Sequence, residues 1–295
     1  MLTQADLAAL AETAQEQASR RRLGPMFWIA VAWLGLVVLL ALLAPLLPFA
    51  DPDKILNGPI SAGLFHGHNL LGTDSSGRDL FARTIYGARV SLLIGFVSIL
   101  FAVGIGGTLG IIAGYYRGKT ESGLMALMDV SLAFPAIVLS LLFITFLGQD
   151  LHWILLVIGV VSIAPVCRLT RANTLVFAQR EFVTAARGLG AKNARILRQE
   201  ILPNVAVPMA SLALLGVAIA IIAEGALAFL GASVKGDTVT WGKLIVAGAS
   251  GNELRGSPLS AFVPIAFLFF TVLSLNFVGE RLRTHFQPQE AGGGR

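Results

Sequence analysis

Hydrophobic residues along this chain gather into long continuous runs separated by shorter polar stretches, without the strict alternation of a half-buried strand. Six runs approach the roughly 20 apolar residues that cross a bilayer core. They are Met26–Leu47, Val90–Tyr116, Leu124–Leu147, Leu151–Cys167, Val205–Leu230 and Leu259–Val278, the fourth being the shortest. The pattern predicts an all-α integral membrane protein with six transmembrane helices, because continuous runs favour helices over a closed barrel. Pro135 removes a backbone donor inside the third run and predicts a kink there. Gly106, Gly110 and Gly114 recur at four-residue spacing in the second run and predict a smooth strip for close helix packing.

The polar stretches divide the chain. Residues 1–25 are expected to form a cytoplasmic amphipathic segment, with a capping-box start at Thr3 and Asp6 and an apolar stripe at Leu7 and Leu10. A cleavable signal is disfavoured, since the first run is too long and Asp6, Glu12 and Glu16 precede it. Residues 26–89 are read as the first span plus an extracytoplasmic loop opened by Pro48, Pro52, Gly58 and Pro59. In "LLGTDSSGRDLFARTIYGARVSL", Asp74 and Ser75 are expected to cap a short helix from about Arg78. Its Leu80, Phe81, Ile85 and Tyr86 would then lie along the membrane surface. Residues 90–279 form the main transmembrane unit, with a cytoplasmic loop over 168–203 and a Gly-rich outer piece near 231–258; 280–295 are a cytoplasmic tail.

Composition agrees with this picture. Hydrophobic residues make up 55% and charged residues 13%, with a mean hydropathy of +0.76, against about 25% charged in an ordinary soluble domain. With the first span starting inside, fifteen basic residues fall on the cytoplasmic side and seven outside, so both termini are expected to be cytoplasmic. The net charge of +5 reflects that bias and is not read as nucleic-acid binding. Cys167 is the single cysteine, which excludes an intrachain disulfide and is read as inert packing.

Catalytic chemistry is not evident. "AGYYRGKTES" near residues 113–122 departs from a phosphate-binding loop at Ala113, and it follows an apolar run rather than a strand. His66 and His68 lack a third ligand at suitable spacing, and no nucleophile–base arrangement stands out. The chain is therefore not expected to be an enzyme, nor to hold a cofactor or metal. Two acids fall within the runs, Asp129 near the start of the third and Glu224 late in the fifth. Such residues face a bundle interior or a water-filled cavity. A structural hydrogen-bonding role for Glu224 is favoured over direct substrate contact. An ion-coupled secondary transporter is the alternative reading of these acids. An assembly or scaffold role does not explain so many charge-free spans.

"EFVTAARGLGAKNARILRQEILPN", residues 181–204, stands between two apolar runs. Glu181 to Arg187 suits one or two helical turns, with Ala185 and Ala186 leaving room for a close neighbour. Gly188 and Gly190 permit a sharp break. Ala191 to Ile201 is a second helix-former, and Pro203 begins the return to the membrane. The layout predicts a compact knob presented to another protein.

This stretch resembles the cytoplasmic loop of type I ABC importer permeases, whose pattern is E-A-A, three residues, G, nine residues, I-x-L-P. Ala185, Ala186, Gly190 and Pro203 match, while Thr184 and Glu200 depart from it. "LGTDSSGRDLFARTIYGARVSL", "DVSLAFPAIVLSLL" and "LAFLGASVKGDTVTWGKLI" are similar to the peptide and nickel subgroup, specifically the second permease of its pair. The resemblance implies a methionine-importer-like transmembrane domain in a prokaryotic cell membrane. It implies a sibling permease as heterodimer partner, two ATPase subunits that hold ATP and Mg at the cytoplasmic face, and an extracytoplasmic substrate-binding protein. The knob would couple to the ATPases through Glu181, Ala185, Ala186, Gly188, Gly190, Ala191, Ile201 and Pro203. Glu224, Asp129, Pro135 and Trp241 are candidates for pathway or structural roles. The segment "KGDTVTWG" lacks the prolines usual before that Trp-Gly, so substrate-side detail does not transfer.

Overall fold

The computed structural model describes residues 24–46 and 71–286. The expected leader helix, His66 and His68, the prolines of the outer loop and the end of the tail lie outside the described residues. Within them, regular structure is helical apart from an isolated bridge between Thr73 and Asp79. Helix α1 is Pro25–Leu43, with Pro25 in its first turn, where a missing N–H costs nothing. Helix α2, Leu80–Ala102, continues through a π-helical stretch, Val103–Gly107, into α3, Thr108–Tyr116, as one rod of 37 residues. Helices α4, Gly118–Leu132, and α5, Ala136–Leu147, follow, then α6, Leu151–Phe177. The short α7, Glu181–Gly188, and α8, Asn193–Ile196, lead through a second π-helical stretch, Leu197–Ile201, into α9, Leu202–Phe229. Helices α10, Trp241–Gly248, α11, Gly251–Gly256, and α12, Leu259–Phe286, complete the described residues.

Four expected boundaries are corrected. The second span begins at Leu80, not Val90, and no separate helix lies along the membrane surface: Leu80 and Ile85 are buried in the fold. The helix starts there because Asp79 is its N-cap, accepting from Ala82 N at 2.9 Å, whereas Asp74 closes the turn before it. The third run does not merely kink at Pro135. It breaks into α4 and α5 at 81°, with Pro135 as the extended residue that opens α5. The fourth helix does not end at Cys167 but runs to Phe177, since Arg168 and Arg171 pair with Asp129 and Glu121 of α4 and do not terminate it. Finally, Ala191–Ile201 is no separate helix, and Pro203 does not begin a new segment. Asn193–Phe229 is a single 37-residue element, and the wider π turn just before Pro203 absorbs the missing N–H.

Among the described residues, five helices are long and apolar enough to cross a membrane, and the bent pair α4–α5 makes six if it counts as one span. The packing decides this. Ser98 donates to Leu155 O at 2.8 Å, Gly106 abuts Ile163 and Gly114 abuts Thr174. The α2–α3 rod and α6 therefore run parallel, side by side, from Ser98 to Gly114, about 24 Å at 1.5 Å per residue. Two parallel neighbours require the chain between them to cross back, so α4–α5 is a sixth, broken span.

The glycine strip explains how closely these two helices approach. A Cβ at Gly110 would stand 2.5 Å from Cys167 O and 2.6 Å from Thr170 Cβ, and one at Gly106 would stand 2.6 Å from Ile163 O. Elsewhere α9 packs antiparallel to both neighbours. Gly95 meets Val217 and Ile221, and Gly279 meets Ser211 and Leu214. Helix α1 lies on α12, where Trp33 Nε1 donates to Thr271 Oγ1 at 3.2 Å. The principal core sits between α2, α6 and α9 around Ile94, Ile154 and Ile221.

Candidate functional site: a knob at one end, a pinned loop at the other

The knob between α6 and α9 is built by a helix stop. Gly190 takes φ +82°, Gly190 N donates to Arg187 O and Ala191 N donates to Ala186 O, both at 3.0 Å. This is the Schellman arrangement, in which a left-handed residue lets the chain turn and satisfy the last carbonyls of α7. Gly188 remains in helical geometry, so the bend belongs to Gly190 alone.

The inner face of the knob is apolar. Val183, Ile196 and Ile201 are buried together with Val205, against Ile111, Tyr115 and Phe177 from the ends of the spans. Tyr115 donates to Asn193 Oδ1 at 2.9 Å, and the Arg187 guanidinium lies over the Tyr115 ring. Of the two alanines expected to admit a neighbour, Ala185 is exposed while Ala186 packs inward, as does Ala191. Glu181 and Pro203 face outward and Ile201 is wholly buried. The structure thus brings these residues into one body but divides them between an anchoring and a presented face.

Asp129 and Glu224 are not brought together. Asp129 pairs with Arg168 on an exposed face beside the Glu121–Arg171 pair, and Pro135 is exposed at the break. Glu224, near the far end of α9, is fully buried. Its Oε1 accepts from Ser233 Oγ at 2.5 Å and from Thr240 Oγ1 at 2.8 Å. Thr240 also caps α10 by accepting from Lys243 N at 3.1 Å. Oε2 accepts no hydrogen bond among the described residues and lies 3.0 Å from where a Cβ of Gly242 would stand.

Trp241 is wholly enclosed, its Nε1 donating to Thr84 O at 2.9 Å and its backbone N to Ser91 Oγ at 3.0 Å. It anchors α10 on α2. The adjoining loop is folded about an ammonium: Lys243 Nζ donates to Val234 O, Gly236 O and Thr238 O at 3.2, 2.6 and 2.8 Å. Sequence reasoning missed Lys243, Ser233 and Thr240. The one available signal was their polarity directly after a span that holds a lone acid.

The "GTDSSGRD" turn lies at this same end and is closed by its own side chains. Asp74 accepts from Ser76 N, Arg78 N and Arg78 Nε at 2.8–2.9 Å. The turn is tied to the far part of the chain, with Ser257 Oγ donating to Thr73 O at 3.0 Å and Ser75 N donating to Glu253 Oε1 at 2.8 Å.

Comparison with known proteins places this geometry in context. Residues 106–291 match the family described as "Binding-protein-dependent transport system inner membrane component". The chain is 35% identical over 257 residues to a dipeptide transport system permease of Alkalihalophilus pseudofirmus, covering 85% of this chain and 82% of that protein. It is 34% identical to an oligopeptide transport system permease of Haemophilus influenzae, covering 87% and 82%. A glutathione transport system permease of Pectobacterium atrosepticum is also 34% identical, over 82% of this chain and 77% of its own. Among solved structures, an inward-facing form of the MetNI methionine ABC transporter aligns with a TM-score of 0.60 at 18% identity, covering 70% of this chain and 97% of that chain. That likeness is one of fold.

Proposed function

The chain belongs to the family of binding-protein-dependent transport system inner membrane components, and from that premise we propose that it is a permease subunit of an ATP-driven importer for peptides or a related small substrate such as nickel or haem. In this reading it is the second permease of a heterodimeric pair. Two ATPase subunits, which bind and hydrolyse ATP with Mg, sit at the cytoplasmic face toward which the knob projects, and an extracytoplasmic binding protein delivers substrate to the opposite end.

One observation carries the mechanism. Asn193–Phe229 is a single element whose first turns belong to the knob and whose last turns hold the Glu224 loop. A push at the knob therefore has a continuous path to the outer end. The apolar cluster around Ile196 and Ile201 also joins the knob to α3 and α6, so several spans tilt together. The test is Gly190→Arg. Its φ of +82° is strained for any side chain, at a cost of about 1 kcal/mol or more. Nothing lies within 4 Å of a Cβ there, so the spans still insert. The expected outcome is normal membrane level with weakened ATPase association and lost substrate-stimulated hydrolysis in reconstituted complexes. Full coupling would refute the role of the knob.

A further inference from the structure

A groove of about 460 Å³ runs along the side of the bundle between the α2–α3 rod and α9, with Thr170 of α6 at its floor. Its α9 wall extends from Leu202 to Val217, about 22 Å at 1.5 Å per residue. Volume over length leaves a mean cross-section of about 21 Å². Missing side chains keep the groove open. Gly104 and Gly107 line it from the π-helical stretch of the rod. A Cβ at Gly104 would meet nothing within 4 Å, and one at Gly107 would meet Val103 at 3.8 Å. Gly106 and Gly110, by contrast, are closed against α6. Single π turns of this kind recur at functional sites. The two hydroxyls of the lining are already engaged. Thr108 Oγ1 donates to Gly104 O at 2.6 Å, and Thr170 Oγ1 donates to Val166 O at 2.9 Å beside Met209 Sδ.

We infer that this groove seats one acyl chain of a membrane phospholipid, whose phosphate is held at the knob end by Arg198. The inference goes beyond the permease reading and needs only a chain that spans a bilayer. The dimensions select the occupant. A helix is about 10 Å across, so the groove is far too narrow for a span of another subunit. A peptide would leave its amides without partners against these walls. Water needs two to four polar partners, and the engaged hydroxyls supply none. A polymethylene chain is thin, long and apolar, and the groove covers the roughly 15 Å hydrocarbon depth of one leaflet. In lipid no hydrophobic drive favours one apolar surface over another, so residence rests on packing along the groove and on the head group. The knob-end mouth lies at Leu202, and Arg198 stands exposed one turn before it. Basic residues at such mouths between spans take lipid head groups. A chain seated here keeps α3 and α9 at a fixed separation beside both π turns.

The test places the full complex in nanodiscs that contain phosphatidylglycerol with a photoactivatable diazirine at mid-chain, and maps the labelled peptides by mass spectrometry. Labelling is expected to concentrate on residues 103–111 and 202–217 over the open apolar face of α1. Gly104→Leu puts a branched side chain into the groove and should lower that labelling several-fold. Gly35→Leu makes the same change on the exposed face of α1, where a Cβ also meets nothing within 4 Å, and should leave the pattern unchanged. Arg198→Gln should lower groove labelling several-fold as well. Monodispersity and unfolding temperature in detergent verify that each variant is folded. Even labelling of every exposed span would mean bulk lipid only, and the inference falls. It falls also if Gly104→Leu and Gly35→Leu act alike, or if Arg198→Gln has no effect. Crosslinking of Ala206→Cys, in a Cys167→Ser background, to another subunit would place protein over the groove and overturn the inference too.

Discussion

The Glu224 carboxylate occupies a place where an acid without hydroxyl donors would be expelled from the fold, and two side chains separated from it by a loop keep it there. Because Ser233 and Thr240 bracket the loop that Lys243 fills, one carboxylate oxygen fixes both ends of a turn whose middle is held by an ammonium. Glu224→Gln keeps an acceptor for both hydroxyls. The variant is expected to assemble and to retain most transport. Glu224→Leu strands both donors, costing about 1–3 kcal/mol for each group left unpaired. Its expected signature is a lowered unfolding temperature in detergent and lower complex yield. Selective loss of transport in a normally assembled Gln variant would overturn the positioning role. At this scale the sequence disclosed that Glu224 needed partners, because an acid in an apolar run always does. It did not disclose which, because Ser233 and Thr240 lie 9 and 16 residues away, beyond any helical spacing.

Elements show the same division between what periodicity reveals and what packing decides. The spacing of Gly106, Gly110 and Gly114 was legible because four-residue periodicity marks one helix face, and that face indeed meets α6. Gly104 lies in the same stretch, yet a Cβ there would meet nothing within 4 Å. The contrast is testable. Gly110→Ala drives a methyl into the Cys167 carbonyl and is expected to destabilise by about 1–3 kcal/mol through overpacking. Gly104→Ala should leave thermal stability in detergent unchanged or slightly raised. Equal effects would remove the close approach as the reason for the strip. What periodicity did not show was where helices end. Runs of apolar residues mark the span in lipid, whereas α6 continues ten residues further because its arginines find carboxylates on α4. Likewise, α2 begins ten residues early because Trp241, distant in sequence, covers its first turns.

At the largest scale the described residues have two unlike ends, and the alternating directions of their six spans put the knob at one and residues 71–79 and 231–256 at the other. Under the positive-inside tendency the knob is expected on the cytoplasmic side. In a Cys167→Ser background, Ser250→Cys should react with an impermeant thiol reagent in intact cells and Thr184→Cys only after lysis, both positions being exposed. The reverse labelling would invert the topology. The number and order of spans were readable from hydropathy, since bilayer thickness sets the length of each run. The break in α4–α5 and the continuity of Asn193–Phe229 were not, because a proline between apolar residues looks alike whether a helix bends or stops. The two ends also differ in how far along the chain their bonds reach. Tyr115 meets Asn193 across 78 residues, while Ser75 meets Glu253 across 178 and Thr73 meets Ser257 across 184. Synthesis runs from the N-terminus, so the knob can settle on its base while the last span is still unmade. The Asp74 turn closes on its own side chains, but its tie to Glu253 and Ser257 must wait for the ribosome to deliver them, and until then that end of a nascent chain stays open.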